Sequence, residues 1–131
     1  MKTTKAVALR ILLTLFPLVI AFHVSVISGV IPYNVVWAGK INAIEEMYVF
    51  EAVSIAINLL FITVLVLKAQ YVKNNIPDRL LNTILWMFLI LFAFNTVGNL
   101  MAKTSFEKYV FTPITLLSAI LIWLVVRKEK A

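Results

Sequence analysis

The stretch EEMYVFEAVSIAINLLF, positions 45–61, is mostly apolar yet carries Glu51 and Asn58 seven positions apart. Seven residues is nearly two helical turns, so on a helix the carboxylate and the carboxamide share one face. A carboxylate in such surroundings can carry a proton, ligate a cation or accept a hydrogen bond from a ligand. His23, Asn95 and Asn99 are the other polar candidates for a binding site. Asn95, Gly98, Asn99 and Lys103 recur at i, i+3, i+4, i+8, the spacing of one helical seam. Lys103 has a stem long enough to reach towards Glu51, making that pair a candidate ion pair.

The chemistry is bounded by what is missing. The chain has no cysteine and one histidine, so thiol catalysis and cysteine or multi-histidine metal sites are excluded. No phosphate-binding glycine loop or nucleophile–base triad is present. No residue is therefore assigned a catalytic role, no metal or cofactor is expected, and an enzyme is the less favoured class.

The elements that position these residues are apolar helices. Of 131 residues, 63% are hydrophobic and only 14% charged, too few charges to coat a soluble domain. Four apolar blocks, at 11–31, 47–67, 80–101 and 109–126, each have about the 20 residues that cross a bilayer as a helix. The first is too long for a signal-peptide core and reads as a retained helix. The expectation is an all-α integral membrane protein, a single domain over 1–131, its four transmembrane helices forming an up-down-up-down bundle. A multi-pass protein of the inner cell membrane of a bacterium or archaeon fits this reading.

Charge sets the orientation. Lys2, Lys5, Arg10, Lys68, Lys73, Arg79, Arg127, Lys128 and Lys130 fall on one side, against Lys40, Lys103 and Lys108 on the other. That bias predicts cytoplasmic N and C termini and accounts for the net charge of +6 without nucleic acid. It also argues against insertion in both orientations, leaving room for a parallel homo-oligomer.

Local signals place the ends. Asn42 with Glu45 and Thr104 with Glu107 have capping-box spacing, so helix two starts just after Asn42 and helix four near Ser105, with Pro113 inside it. Helix one is expected over about 6–31 and contains Pro17. Tyr33, Trp37 and Tyr48 suit an outer aromatic belt, Tyr71 and Trp123 an inner one.

At ~1.5 Å per residue, His23 lies ~3 Å and Glu51 ~9 Å outward of the midplane, Asn58 near it, and Asn95 and Asn99 ~6 and ~12 Å outward. The inner half is Leu, Ile, Val and Phe. This predicts an outward-facing polar pocket above an apolar plug. Glu51 there either pairs with Lys103, Lys40 or His23, or takes up a proton. On helix one, Thr14, Ala21, Ser25 and Ser28 share a small face and His23 points almost oppositely. One of these faces is therefore free to meet a second copy, a larger membrane partner or lipid headgroups.

Three functions follow as expectations. The first is binding or transport of a small molecule or ion in the outward pocket. The second is an accessory or assembly subunit whose polar seams hold helices together. For the third, HVSVISGVIP and VFEAVSIAINLLF resemble segments of the sterol-isomerase and sigma-2-receptor group of four-helix proteins. That resemblance implies lipid or sterol modification with Glu51 as acid/base and His23 assisting. It covers two short stretches, and the chain lacks that group's second acidic cluster in the first helix.

Single cysteines in this cysteine-free chain test the orientation. Lys73→Cys is expected to react with a membrane-impermeant maleimide only from the inner face, and Lys40→Cys only from the outer. Labelling of both from one side would refute the assignment.

Overall fold

A computed structural model describes residues 3–32, 44–101 and 106–127, with the backbone alone at Glu107. The described residues form α1 (Thr3–Ile27), α2 (Ile44–Lys68), α3 (Asp78–Leu100), a π turn (Glu107–Phe111) and α4 (Thr112–Val126), with no strand among them. All four spans are long and apolar enough to cross a membrane, the last counted from Lys108 to Val126 at 19 residues. At ~1.5 Å per residue that shortest span measures ~28 Å, close to the hydrocarbon thickness. Only 22–39% of each span is buried within the bundle, so most of its apolar surface needs lipid to cover it.

The bundle is built by side-by-side packing of α1 on α2, α2 on α3, α3 on α4 and α4 on α1. On α2 the inward residues Met47, Glu51, Ser54, Asn58, Phe61, Leu65 and Lys68 alternate in steps of four and three. That is the 3.5-residue period of interlocking helices. On α3 the inward line runs Leu81, Leu85, Phe88, Phe92 and Thr96. The line carries no charge, so it packs against neighbours without desolvation cost.

Four rings close the centre. Phe16 meets Phe61 edge-on at 4.7 Å and Phe92 at 5.3 Å, and Phe61 meets Phe88 at 4.8 Å. Leu12, Leu65, Leu85, Ile122 and Val125 continue this core, all fully buried. An apolar plug expected from the sequence is thus an aromatic cluster drawn from three helices, with α4 supplying aliphatic filling.

The helix ends follow from backbone chemistry. α1 ends at Ile27, earlier than the sequence reading, because Gly29 takes φ +88° and turns the chain. α2 ends in a paired motif, Tyr71 N–H to Val66 O and Gln70 N–H to Leu67 O, both 3.2 Å, with Gln70 at φ +59°. Asn74 then winds the loop, donating to Leu67 O and Val72 O and accepting from Ile76 N–H. Lys68 at the end of α2 donates to Asp78 at the start of α3 over 2.6 Å. Both charges suit the helix dipoles they stand on. This contact marks what is called here the near end of the bundle.

The start of α4 differs from the expected regular helix from Ser105. Pro113 has no N–H, and its ring presses on the carbonyl four residues back. The turn before it widens to π spacing over Glu107–Phe111, and Pro113 sits in the first turn of α4. Asn42, Thr104, Tyr33, Trp37, Lys40 and Lys103 lie outside the described residues. Of the remaining belt candidates, Tyr48, Tyr71 and Trp123 are exposed, and Arg127 stands over the Trp123 ring at 5.2 Å.

Phe61→Ala is expected to destabilise the bundle by about 3 kcal/mol, since three ring contacts are lost at once. Leu60→Ala, on the lipid side of α2, is expected to change stability by less than about 0.5 kcal/mol. Denaturant titration in detergent micelles measures both.

Candidate functional site

Glu51 is fully buried, and the imidazole of His23 is its partner. The Nδ1 to Oε2 distance is 2.5 Å, and His23 keeps 15% of its side-chain exposure. A contact this short needs a proton on the line between the atoms. Either Nδ1–H donates to an ionised carboxylate, or the carboxylic acid donates to a neutral imidazole.

The pair bridges α1 and α2, and one turn further from the near end Val26 and Met47 are buried above it. Phe22 also packs there, against Phe111 at 4.9 Å and Phe106 at 5.4 Å. Phe106 and Phe111 are five residues apart, and a π turn brings residues at that spacing nearly into line. The widened turn is therefore why both rings reach Phe22. The polar pair stands level with Phe22 of this aromatic cluster and ~10 Å beyond the central Phe16–Phe61–Phe92 plug.

Between the clusters every helix contributes a polar side chain. Asn58 is buried and donates to Ser54 O at 2.8 Å, ~10 Å along α2 from Glu51. Thr96 donates to the Thr115 hydroxyl at 2.9 Å, joining α3 to α4. Ser118, fully buried, donates to Ile114 O at 2.7 Å. Thr112 is nine-tenths buried, and its hydroxyl has no hydrogen-bond partner. Counted from the plug, His23 stands seven residues beyond Phe16, or ~10 Å. Thr112 stands at a similar ~10 Å beyond Phe92 through the Thr96–Thr115 contact. The orphan hydroxyl and the acid–imidazole pair thus occupy one level.

The sequence candidates divide. His23, Glu51 and Asn58 are brought to the interior, and Asn99 is half-buried one turn beyond Thr96. Asn95 is exposed on the outer face of α3, a rotation of about 100° from the inward line. Lys103 and Lys40, the other candidate partners of Glu51, are outside the described residues. His23 settles which face of α1 turns inward, since Thr14, Ala21 and Ser28 are exposed and Ser25 is half-buried. Thr14, Ser25 and Ser28 bond back to carbonyls of their own helix. Thr96 was missed by the sequence reading. Extending the steps Leu81, Leu85, Phe88, Phe92 by four residues would have found it.

No group of three or more acidic, histidine or cysteine residues able to hold a metal occurs among the described residues. No family model matches the chain, nor does any curated protein or solved structure.

Removing one member of a buried pair takes a partner from the other, a loss of up to roughly 3 kcal/mol. His23→Leu is expected to destabilise by about that much, and adding Glu51→Gln to recover at least half. A double-mutant cycle on thermal or denaturant unfolding reads the coupling. Additive losses would show that the contact has no energetic role.

Proposed function

We infer that the protein binds or transports a small polar molecule or ion within the membrane, using the His23–Glu51 pair as its protonatable element. The observation that carries this is a carboxylate with 0% exposure held by an imidazole at 2.5 Å inside an apolar bundle. Acidic groups at such depth are costly and mark ion, proton or ligand sites. A structural clamp needs neither the titratable pair nor the orphan Thr112 hydroxyl at its level.

The mechanism follows from the pair's chemistry. A ligand with a protonated amine, a hydroxyl or a cationic centre replaces His23 as the partner of Glu51, and the imidazole releases or keeps the proton. Thr112 and Asn99 supply further hydrogen bonds. Entry from the far end passes Val26, Met47 and Phe22; the phenylalanine plug blocks passage towards the near end. Pro17 in α1 and Pro113 at the start of α4 remove ladder hydrogen bonds where these helices would bend.

The topology belongs to this reading. Phe16 meets Phe61 while His23 meets Glu51, so numbering rises on α1 as it falls on α2. This supports an up-down order, while cytoplasmic termini and a polar level in the outer half rest on the Lys/Arg distribution. The accessory-subunit reading has an observation of its own in Asn95, a polar side chain facing lipid.

Native mass spectrometry of wild type, Glu51→Gln and His23→Gln, released from mild detergent, tests the proposal. A small non-protein mass held by wild type and reduced at least tenfold in both variants is the expected result. A mass retained equally by all three overturns it. So does a wild type without bound mass whose variants lose a protein partner, which would favour the accessory role.

A further inference from the structure

We propose that the outer face of α3 around Asn95 and Gly98 is the contact between two copies of this chain, packed in parallel. Asn95 lies five residues before the end of α3 at Leu100, ~7 Å inside it, so its carboxamide faces hydrocarbon. It is exposed, and no hydrogen bond joins its side chain to any described residue. Lipid tails offer no donor or acceptor, and the side chain is too short to reach the headgroups. A carbonyl one turn back can take one N–H of such an amide, as Ser54 O does for Asn58, and the remaining donor and acceptor need a partner from outside the bundle.

Gly98 is an independent sign on the same face. It is exposed three residues on, and a Cβ built there would meet nothing within 4 Å. Among the described residues nothing uses the missing side chain, although glycine weakens a helix interior. A closely approaching external backbone is what a glycine at this place admits. Leu91, one turn before Asn95, and Met101, one turn after Gly98, extend the face with exposed apolar surface.

The occupant follows from the chemistry of the amide. A carboxamide carries both donor and acceptor, so it is complementary to itself. A two-fold axis along the membrane normal places the same residue of both copies at one depth, and Asn95 then meets its counterpart. That symmetry needs both copies inserted the same way up, as the Lys/Arg distribution requires. A partner of other sequence would need its own polar group at that depth.

Cross-linking in proteoliposomes tests this directly, because the chain has no native cysteine. Leu91→Cys, on the same face but clear of the glycine, is expected to give a disulfide-linked dimer under mild oxidation, and Val53→Cys, on the lipid face of α2, is not. Asn95→Leu is expected to weaken dimerisation about tenfold in a dilution series read by single-molecule photobleaching. Since the substitution faces lipid, thermal stability of the monomer should be unchanged. A wild type that stays monomeric on lipid dilution, equal cross-linking at both cysteines, or an Asn95→Leu dimer of unchanged strength each overturns the proposal. A stoichiometric cross-link to a different protein overturns the second copy and assigns the face to that partner.

Discussion

Hydrocarbon provides no hydrogen bonds, and that constraint orders this molecule. Most polar side chains placed in the spans bring their own solution. Thr14, Ser25, Thr63, Thr83 and Ser118 bond to carbonyls of the preceding turn, which costs nothing in interhelical geometry. Thr96 with Thr115 ties two helices together. Glu51 has no such local remedy, because a carboxylate only accepts when ionised and the carbonyls around it do the same. It needs a donor from another helix, and His23 provides it. The rotation of α1 about its axis is consequently fixed by a polar contact as well as by the packing of Phe16 and Leu12.

The resulting bundle is arranged by level: a charged staple at Lys68–Asp78, an aromatic plug, then a level where the acid–imidazole pair and a second aromatic cluster stand side by side. Such layering separates two tasks. The plug gives rigidity through contacts that tolerate no water, while the polar level gives chemistry that dry packing cannot. Thr112 belongs to the second task, since its hydroxyl is spared the usual bond to the turn before it. The helix preceding Thr112 is the widened one, so the regular partner four residues back is displaced.

Much of this was legible in the sequence, and the reasons differ by feature. The spans were plain from composition because lipid exposure demands apolar residues all round a helix. The burial of Glu51 and Asn58 followed from their seven-residue spacing. Rotation was harder. When a helix is apolar on every side, no polar face marks the outside, and Asn95 and Thr96 differ by one position with opposite fates. Polar residues alone suggested the seam through Asn95; the apolar steps from Leu81 to Phe92 held the better signal. For α1, two opposed faces were read without a choice between them, because the choice depends on a contact 28 positions away. The widened turn could have been suspected from Pro113 but not placed, since a proline permits a kink, a break or a bulge.

That turn has a consequence for how the gene can vary. A π turn is the structural imprint of one inserted residue in an otherwise regular helix. Everything beyond it is out of phase by about 100° with what an uninterrupted helix would present. Deleting one residue between positions 107 and 111 would swing Phe106 away from Phe22 while leaving Thr112, Thr115 and Ser118 in place. Substitutions in this segment leave the reading of both faces intact, whereas changes of length do not. Apart from Phe111, which packs on Phe22, the segment is therefore permissive in composition and strict in count.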